Sequence, residues 1–168
     1  MIHIENVVPS HEPEFAADDV VPVMVDWSHD ECLHLRQFSP DDQLVCDFRL
    51  DLYDGHLVGL TILNAPNVLG PPPAQVRNAS EVMGVPVFCR EGFSLNPDLS
   101  PTLKYVDGTG AISRYVNDVA AGVVLRAHDT VETWARSGAL RFGMSASGGL
   151  VAVEVDRAAL PANSELLA

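Results

Sequence analysis

Apolar and polar residues alternate over two stretches of the chain, and each stretch runs into a glycine turn followed by a second apolar run. In the first, Cys46, Phe48, Leu50 and Leu52 alternate with Asp47, Arg49 and Asp51, and Asp54-Gly55 then leads into Leu57-Val58-Gly59-Leu60-Thr61-Ile62. In the second, Leu140, Phe142, Met144 and Ala146 lead through Ser147-Gly148-Gly149 into Leu150-Val151-Ala152-Val153-Glu154-Val155. A period of two marks a strand with one buried face, and Asp-Gly tolerates the positive φ angles of a tight hairpin turn. Both stretches therefore predict antiparallel hairpins: Gln43 to Tyr53 with His56 to Asn64, and Leu140 to Ala146 with Gly149 to Asp156.

The two hairpins repeat a common pattern. Aligned without a gap, Asp54 to Ala65 and Ser147 to Ala158 share Gly55/Gly148, Leu57/Leu150, Val58/Val151 and Ala65/Ala158, and each hairpin follows a shorter strand, Cys32 to Phe38 or Val123 to Ala127. Such self-similarity is an architectural signal. Gly70-Pro71-Pro72-Pro73 forms an extended connector, so a single domain over 1–168 is expected, built from halves 1–69 and 74–168.

Further strands are predicted at Ile2 to Val8, at Val20 to Val25, where Pro22 demands an edge, and at Val85 to Cys89. Two segments carry helical spacing. Ile112, Tyr115, Val116 and Val119 fall at i, i+3, i+4 and i+7 ahead of Gly122, and Val76, Ala79 and Met83 share one side of Pro73 to Met83 ahead of Gly84. Asp129-Thr130-Val131-Glu132 has capping-box form and opens a turn of helix through Trp134. The expected class is α+β, predominantly antiparallel β, with one or two short helices.

Charge changes the picture. The chain carries 23 acidic and 10 basic residues, a formal charge of −13, with Lys104 its single lysine. Such a field repels nucleic acid and anionic membranes and favours a basic protein partner, although acidity also serves solubility alone. No apolar run is long enough to span a bilayer, and the first residues lack the pattern of a secretory signal. Cys32, Cys46 and Cys89 are odd in number and widely spaced, which argues against a disulfide framework and for reduced thiols in the cytoplasm.

The phrases Leu50-Asp51-Leu52-Tyr53-Asp54-Gly55-His56-Leu57-Val58-Gly59-Leu60-Thr61-Ile62 and Gly122-Val123-Val124-Leu125-Arg126 resemble the small bacterial β domains of domain of unknown function family 2283. Asp118 to Arg126 and Ala139 to Val155 would be a second, degenerate copy. The glutamate usual in the final strand is Thr61 in the first copy and Glu154 in the second, and residues 66–111 have no counterpart. The resemblance implies a fold and no reaction.

Candidate chemistry is sparse. His29-Asp30-Glu31-Cys32-Leu33-His34 gathers potential metal ligands, of which His29, Glu31 and His34 are the metal or acid/base candidates. A solvated turn followed by a strand explains the same residues. Gly143-Met144-Ser145-Ala146-Ser147-Gly148 lies in a hairpin and lacks the nucleophile-elbow pattern. Asp107-Gly108-Thr109-Gly110 precedes the expected helix at 112–119 and could offer amides to an anion, but has no phosphate-loop lysine. The pairs Asp18-Asp19, Asp30-Glu31 and Asp41-Asp42 suit recognition of a basic partner better than acid/base work. Trp27, Trp134, Tyr53 and Phe93 are candidate anchors or core residues.

The sequence thus predicts a non-enzymatic acidic protein-binding module with no cofactor, of the antitoxin or immunity type. Its partner-binding set is Asp18, Asp19, Trp27, Asp30, Glu31, Asp41 and Asp42. A metal- or small-molecule-dependent enzyme and a structural homo-oligomer are the alternatives.

Overall fold

The computed structural model describes residues 2–18, 21–29, 32–64, 66, 68–89 and 104–168. In chain order its strands are β1 (Ile4–Val8), β2 (Glu14–Ala16), β3 (Val23–Asp26), β4 (Cys32–Phe38), β5 (Leu44–Asp51), β6 (Leu57–Ile62) and β7 (Gln75–Met83). They continue with β8 (Val85–Phe88), β9 (Lys104–Thr109), β10 (Ser113–Val116), β11 (Ala120–Val124), β12 (Val131–Ser137), β13 (Leu140–Met144) and β14 (Leu150–Asp156). Among the described residues, helical structure is confined to one 3-10 turn, Arg157–Ala159. The expected α+β class is therefore corrected to an almost wholly β fold.

The strands form two six-stranded sheets and a ribbon. Sheet 1 has the order β2-β3-β6-β5-β4-β9, sheet 2 the order β10-β11-β14-β13-β12-β7, and β1 pairs with β8. In each sheet five consecutive strands occupy equivalent places, and the third of them pairs in parallel with a strand from outside the five: β4 with β9, β12 with β7. The other pairings between these strands are antiparallel among the described residues.

The inner faces of both sheets meet in one core. Val25, Leu35, Phe48 and Leu60 of sheet 1 join Val123, Ala135, Phe142 and Val153 of sheet 2 in a single buried cluster. Fully burying each large side chain contributes about 1.5–3 kcal/mol. Trp27 lies in this layer, 6.3 Å from the Phe142 ring, and its indole N–H donates to Ser137 Oγ at 2.8 Å. It is a core residue that ties the sheets together and offers no exposed anchor to a partner.

Three helical expectations fail for local reasons. Residues 112–119 form β10 and the turn into β11, because Asn117 Oδ1 accepts the amides of Val119 and Ala120 and folds the chain back on itself. Tyr115 then points to the outer face of sheet 2 and Val116 packs on the shared core, while Val119 is exposed, so helical spacing never becomes a buried stripe. Residues 75–83 form the edge strand β7, where Val76 and Met83 are both exposed and a helix would have had no apolar face to bury. Asp129 pairs with Arg126 at 2.6 Å, and β12 begins at Val131 directly after the turn.

Candidate functional site

The outer face of sheet 1 carries the densest chemistry among the described residues. Alternation along β4 turns Leu33 and Leu35 inward and sets Cys32, His34 and Arg36 outward; on β5 it sets Asp47 and Arg49 outward beside Phe48. The register places His34 opposite Arg49 and Arg36 opposite Asp47. His34 Nδ1 meets Asp47 Oδ2 at 2.8 Å, and Cys32 Sγ meets His34 Nε2 at 3.6 Å. A carboxylate at Nδ1 holds the proton there and leaves Nε2 as an acceptor facing the thiol. Thiol, imidazole and carboxylate therefore stand in line.

The neighbours of this line are ion pairs. Arg49 Nη1 contacts Asp26 at 2.8 Å and Nη2 donates to the Val25 carbonyl at 3.2 Å. The Arg49 guanidinium lies over Gly59, where a Cβ would stand 2.5 Å from Nε, so glycine makes room for it. Arg36 grips Asp107 of β9 through two bonds at 2.7 and 2.8 Å. Burial pushes the Cys32 thiol above its ordinary range, and Arg49 only partly offsets it, so at rest Cys32 is a neutral thiol.

The sequence-derived residues are dispersed. Asp18 precedes β3, and Asp41 and Asp42 occupy the β4–β5 turn, which puts all three at one end of sheet 1. All three are exposed; Asp42 adopts φ +60°, and Ser39 Oγ donates to Asp41. Trp27 and His29 lie at the opposite end, His29 exposed and 3.8 Å from Glu14. Asp19, Asp30, Glu31 and Phe93 lie outside the described residues.

The metal candidates His29 and His34 are each engaged separately, by Glu14 and by Asp47. A three-ligand grouping falls instead at Asp51, Asp54 and His56 on the first hairpin turn. Turn hydrogen bonds explain that grouping: Asp51 Oδ1 accepts the amides of Tyr53 and Asp54, and Asp54 accepts the amide and Nδ1 of His56. These bonds, the His56 amide first, hold the Asp54 carboxyl below its usual range. Ser145 caps the second turn by accepting the Gly149 amide. The Asp107–Gly110 segment belongs to β9 and its exit, with no helix after it to present amides to an anion.

Cys32 and His34 at i, i+2 on one strand could be read as sharing a face; Asp47 could not, because its place depends on the β4–β5 register. The chain matches no protein-family model and no curated protein. Among the described residues no helix is long and apolar enough to cross a membrane.

Proposed function

We propose that this chain is a non-enzymatic, acidic protein-binding module of the cytoplasm that holds a basic protein partner, in the manner of an antitoxin or an immunity protein. One observation carries the reading. Five of the nine arginines, Arg36, Arg49, Arg126, Arg136 and Arg141, are committed to carboxylates within or beside the sheets. The surplus acidic charge is thereby left outward, at Asp18, Asp41 and Asp42 among others. An outward field of one sign speeds encounter with an oppositely charged partner and penalises like-charged ones.

The test is capture from lysate at about 50 and about 500 mM salt, between which the screening length falls about threefold. The wild-type chain is compared with an Asp18→Lys, Asp41→Lys, Asp42→Lys variant. The expected result is a stoichiometric basic protein, held at low salt, released at high salt and lost with the variant, whose own activity the wild-type chain blocks. Equal capture by the variant, or no stoichiometric basic protein at low salt, would sink the reading.

The Cys32–His34–Asp47 line supports a second reading, an enzyme on a β scaffold with Cys32 as nucleophile and His34 as the base that takes its proton. Here iodoacetamide should label Cys32 at neutral pH at least tenfold more slowly in His34→Ala than in wild type. Equal rates would remove the imidazole from the chemistry.

A further inference from the structure

At the β9 edge a cavity of about 510 Å³ is lined by residues of both sheets. Its wall on one side is the inner face of β4 and β9, where Leu35 pairs with Val106 and Gln37 with Gly108. On the other side stand Leu125 and Arg126, just past β11, and Leu150 of β14. Along β4 the preceding inner-face positions, Leu33 and Leu35, belong to the apolar core. At this end the positions are Gln37 and Gly108, and the Gln37 amide lies over Gly108, where a Cβ would stand 2.6 Å from Nε2. A polar side chain and a glycine thus replace the large apolar pair that would close the core at native packing density.

Arg126 supplies the charge. Its Nη2 is fixed by Asp129 at 2.6 Å, while Nη1 lies buried over Gly149 without a hydrogen-bond partner. A Cβ at Gly149 would fall 1.9 Å from that nitrogen and would displace the guanidinium from its present position. His3, Asp107 and Thr109 also line the cavity, so the walls are mixed; a cavity of this size with a few fixed polar groups is the usual form of a small-molecule site.

We propose that this cleft binds a small amphipathic monocarboxylate, its apolar body against Leu35, Val106, Leu125 and Leu150 and its carboxylate on the Arg126 guanidinium. The Gln37 amide is placed to hydrogen-bond the ligand from the β4 side. Because Arg126 is anchored through its other nitrogen, its charge is positioned before the ligand arrives, which lowers the cost of ordering on binding. The cleft uses none of the acidic residues assigned to partner recognition.

The probe is 8-anilinonaphthalene-1-sulfonate, an aromatic anion whose fluorescence rises in apolar sites, titrated into the full chain and displaced by octanoate or by octanol. The expected result is one saturable site per chain from which octanoate displaces the probe. In Arg126→Gln, octanoate should weaken tenfold or more while octanol is unchanged. Gly110 lines the cleft and a Cβ there meets nothing within 4 Å, so Gly110→Phe should fold with an unaltered melting midpoint and lose probe binding. The proposal is overturned by the absence of a saturable, octanoate-sensitive site, by equal weakening of octanoate and octanol in Arg126→Gln, or by unaltered binding in Gly110→Phe.

Discussion

The two sheets share a lattice but cover their outer faces in opposite ways. Leu60 lies opposite Phe48 in sheet 1, and Val153 lies opposite Phe142 in sheet 2, which fixes the equivalence of positions. Arg49 then occupies the place of Gly143, His34 that of Trp134, Asp47 that of Arg141 and Thr61 that of Glu154. Sheet 1 meets water with a ladder of ion pairs. Sheet 2 builds a second small core from Tyr115, Val124, Val131, Trp134, Val151 and Ala152, and places one carboxylate, Glu154, 2% exposed, inside it. Tyr115 Oη and Arg141 Nη2 both donate to Glu154, and the Arg141 guanidinium also lies 5.0 Å from the Trp134 ring. The same strand order therefore supports an ion-paired polar surface on one side and a sealed one on the other.

The largest effect should come from breaking the sealed face. Arg141→Met leaves the Glu154 charge buried with Tyr115 alone, a change that costs about 3–5 kcal/mol. On sheet 1, Arg36→Met removes a pair whose Asp107 side chain is 52% exposed, which costs below about 1 kcal/mol. Urea denaturation of both variants measures the difference. Losses within 1 kcal/mol of each other, by order of magnitude, would mean that the two faces do not differ in kind.

A smaller contrast lies in the glycines under each face. At Gly143 a Cβ would stand 2.8 Å from Val131 Cγ2 and 3.0 Å from the Trp134 ring. Gly143→Ala must therefore displace packed groups, at about 1–3 kcal/mol. Gly59→Ala meets the far end of the flexible Arg49 side chain, which moves aside only by giving up its bonds to Asp26 and Val25, so it should cost about 1 kcal/mol. In an Arg49→Met background the Gly59→Ala change should become neutral, and denaturation of the double variant reads that coupling directly.

How much of this was legible follows from which signals are local. The two hairpins are written in alternation and in Asp54-Gly55, so β5–β6 and β13–β14 form where the pattern places them. Edge strands are not written this way. β7 is exposed at nearly every position and so carries no buried stripe, and β9 is defined by parallel pairing with β4 some seventy residues earlier, a partner that no local pattern announces. Tyr115 and Val116 show the limit of periodicity, since neighbours buried on opposite faces of a strand mimic one side of a helix. The candidate site divides likewise: Cys32 and His34 share a face by strand geometry, but Asp47 joins them only through cross-strand register. Trp27 could not be assigned to core or surface from sequence, because its partners Ser137 and Phe142 come from the other sheet.

Alkaline pH should separate the faces by a smaller margin. Burial first, and the Glu154 charge next, push the Tyr115 hydroxyl well above its ordinary range. Below about pH 10, the ordinary tyrosine value, the residue is protonated in both folded and unfolded chains and adds no pH dependence. Above it the unfolded chain releases the proton while the native chain keeps it, so stability falls as pH rises. On sheet 1 the raised thiol of Cys32 acts with the same sign from its own ordinary range upward, but more weakly, because that residue is only half-buried. The buried thiol of Cys46 in the shared core is raised as well and contributes equally to every variant that retains it. Thermal unfolding followed from pH 8 to pH 11, a range of about one unit or more around these ordinary values, should show a flatter alkaline decline in Tyr115→Phe than in wild type. Cys32→Ser should flatten it less. If Cys32→Ser had the larger effect, the outer face of sheet 1 would be the better sealed of the two, and the contrast between the sheets would reverse.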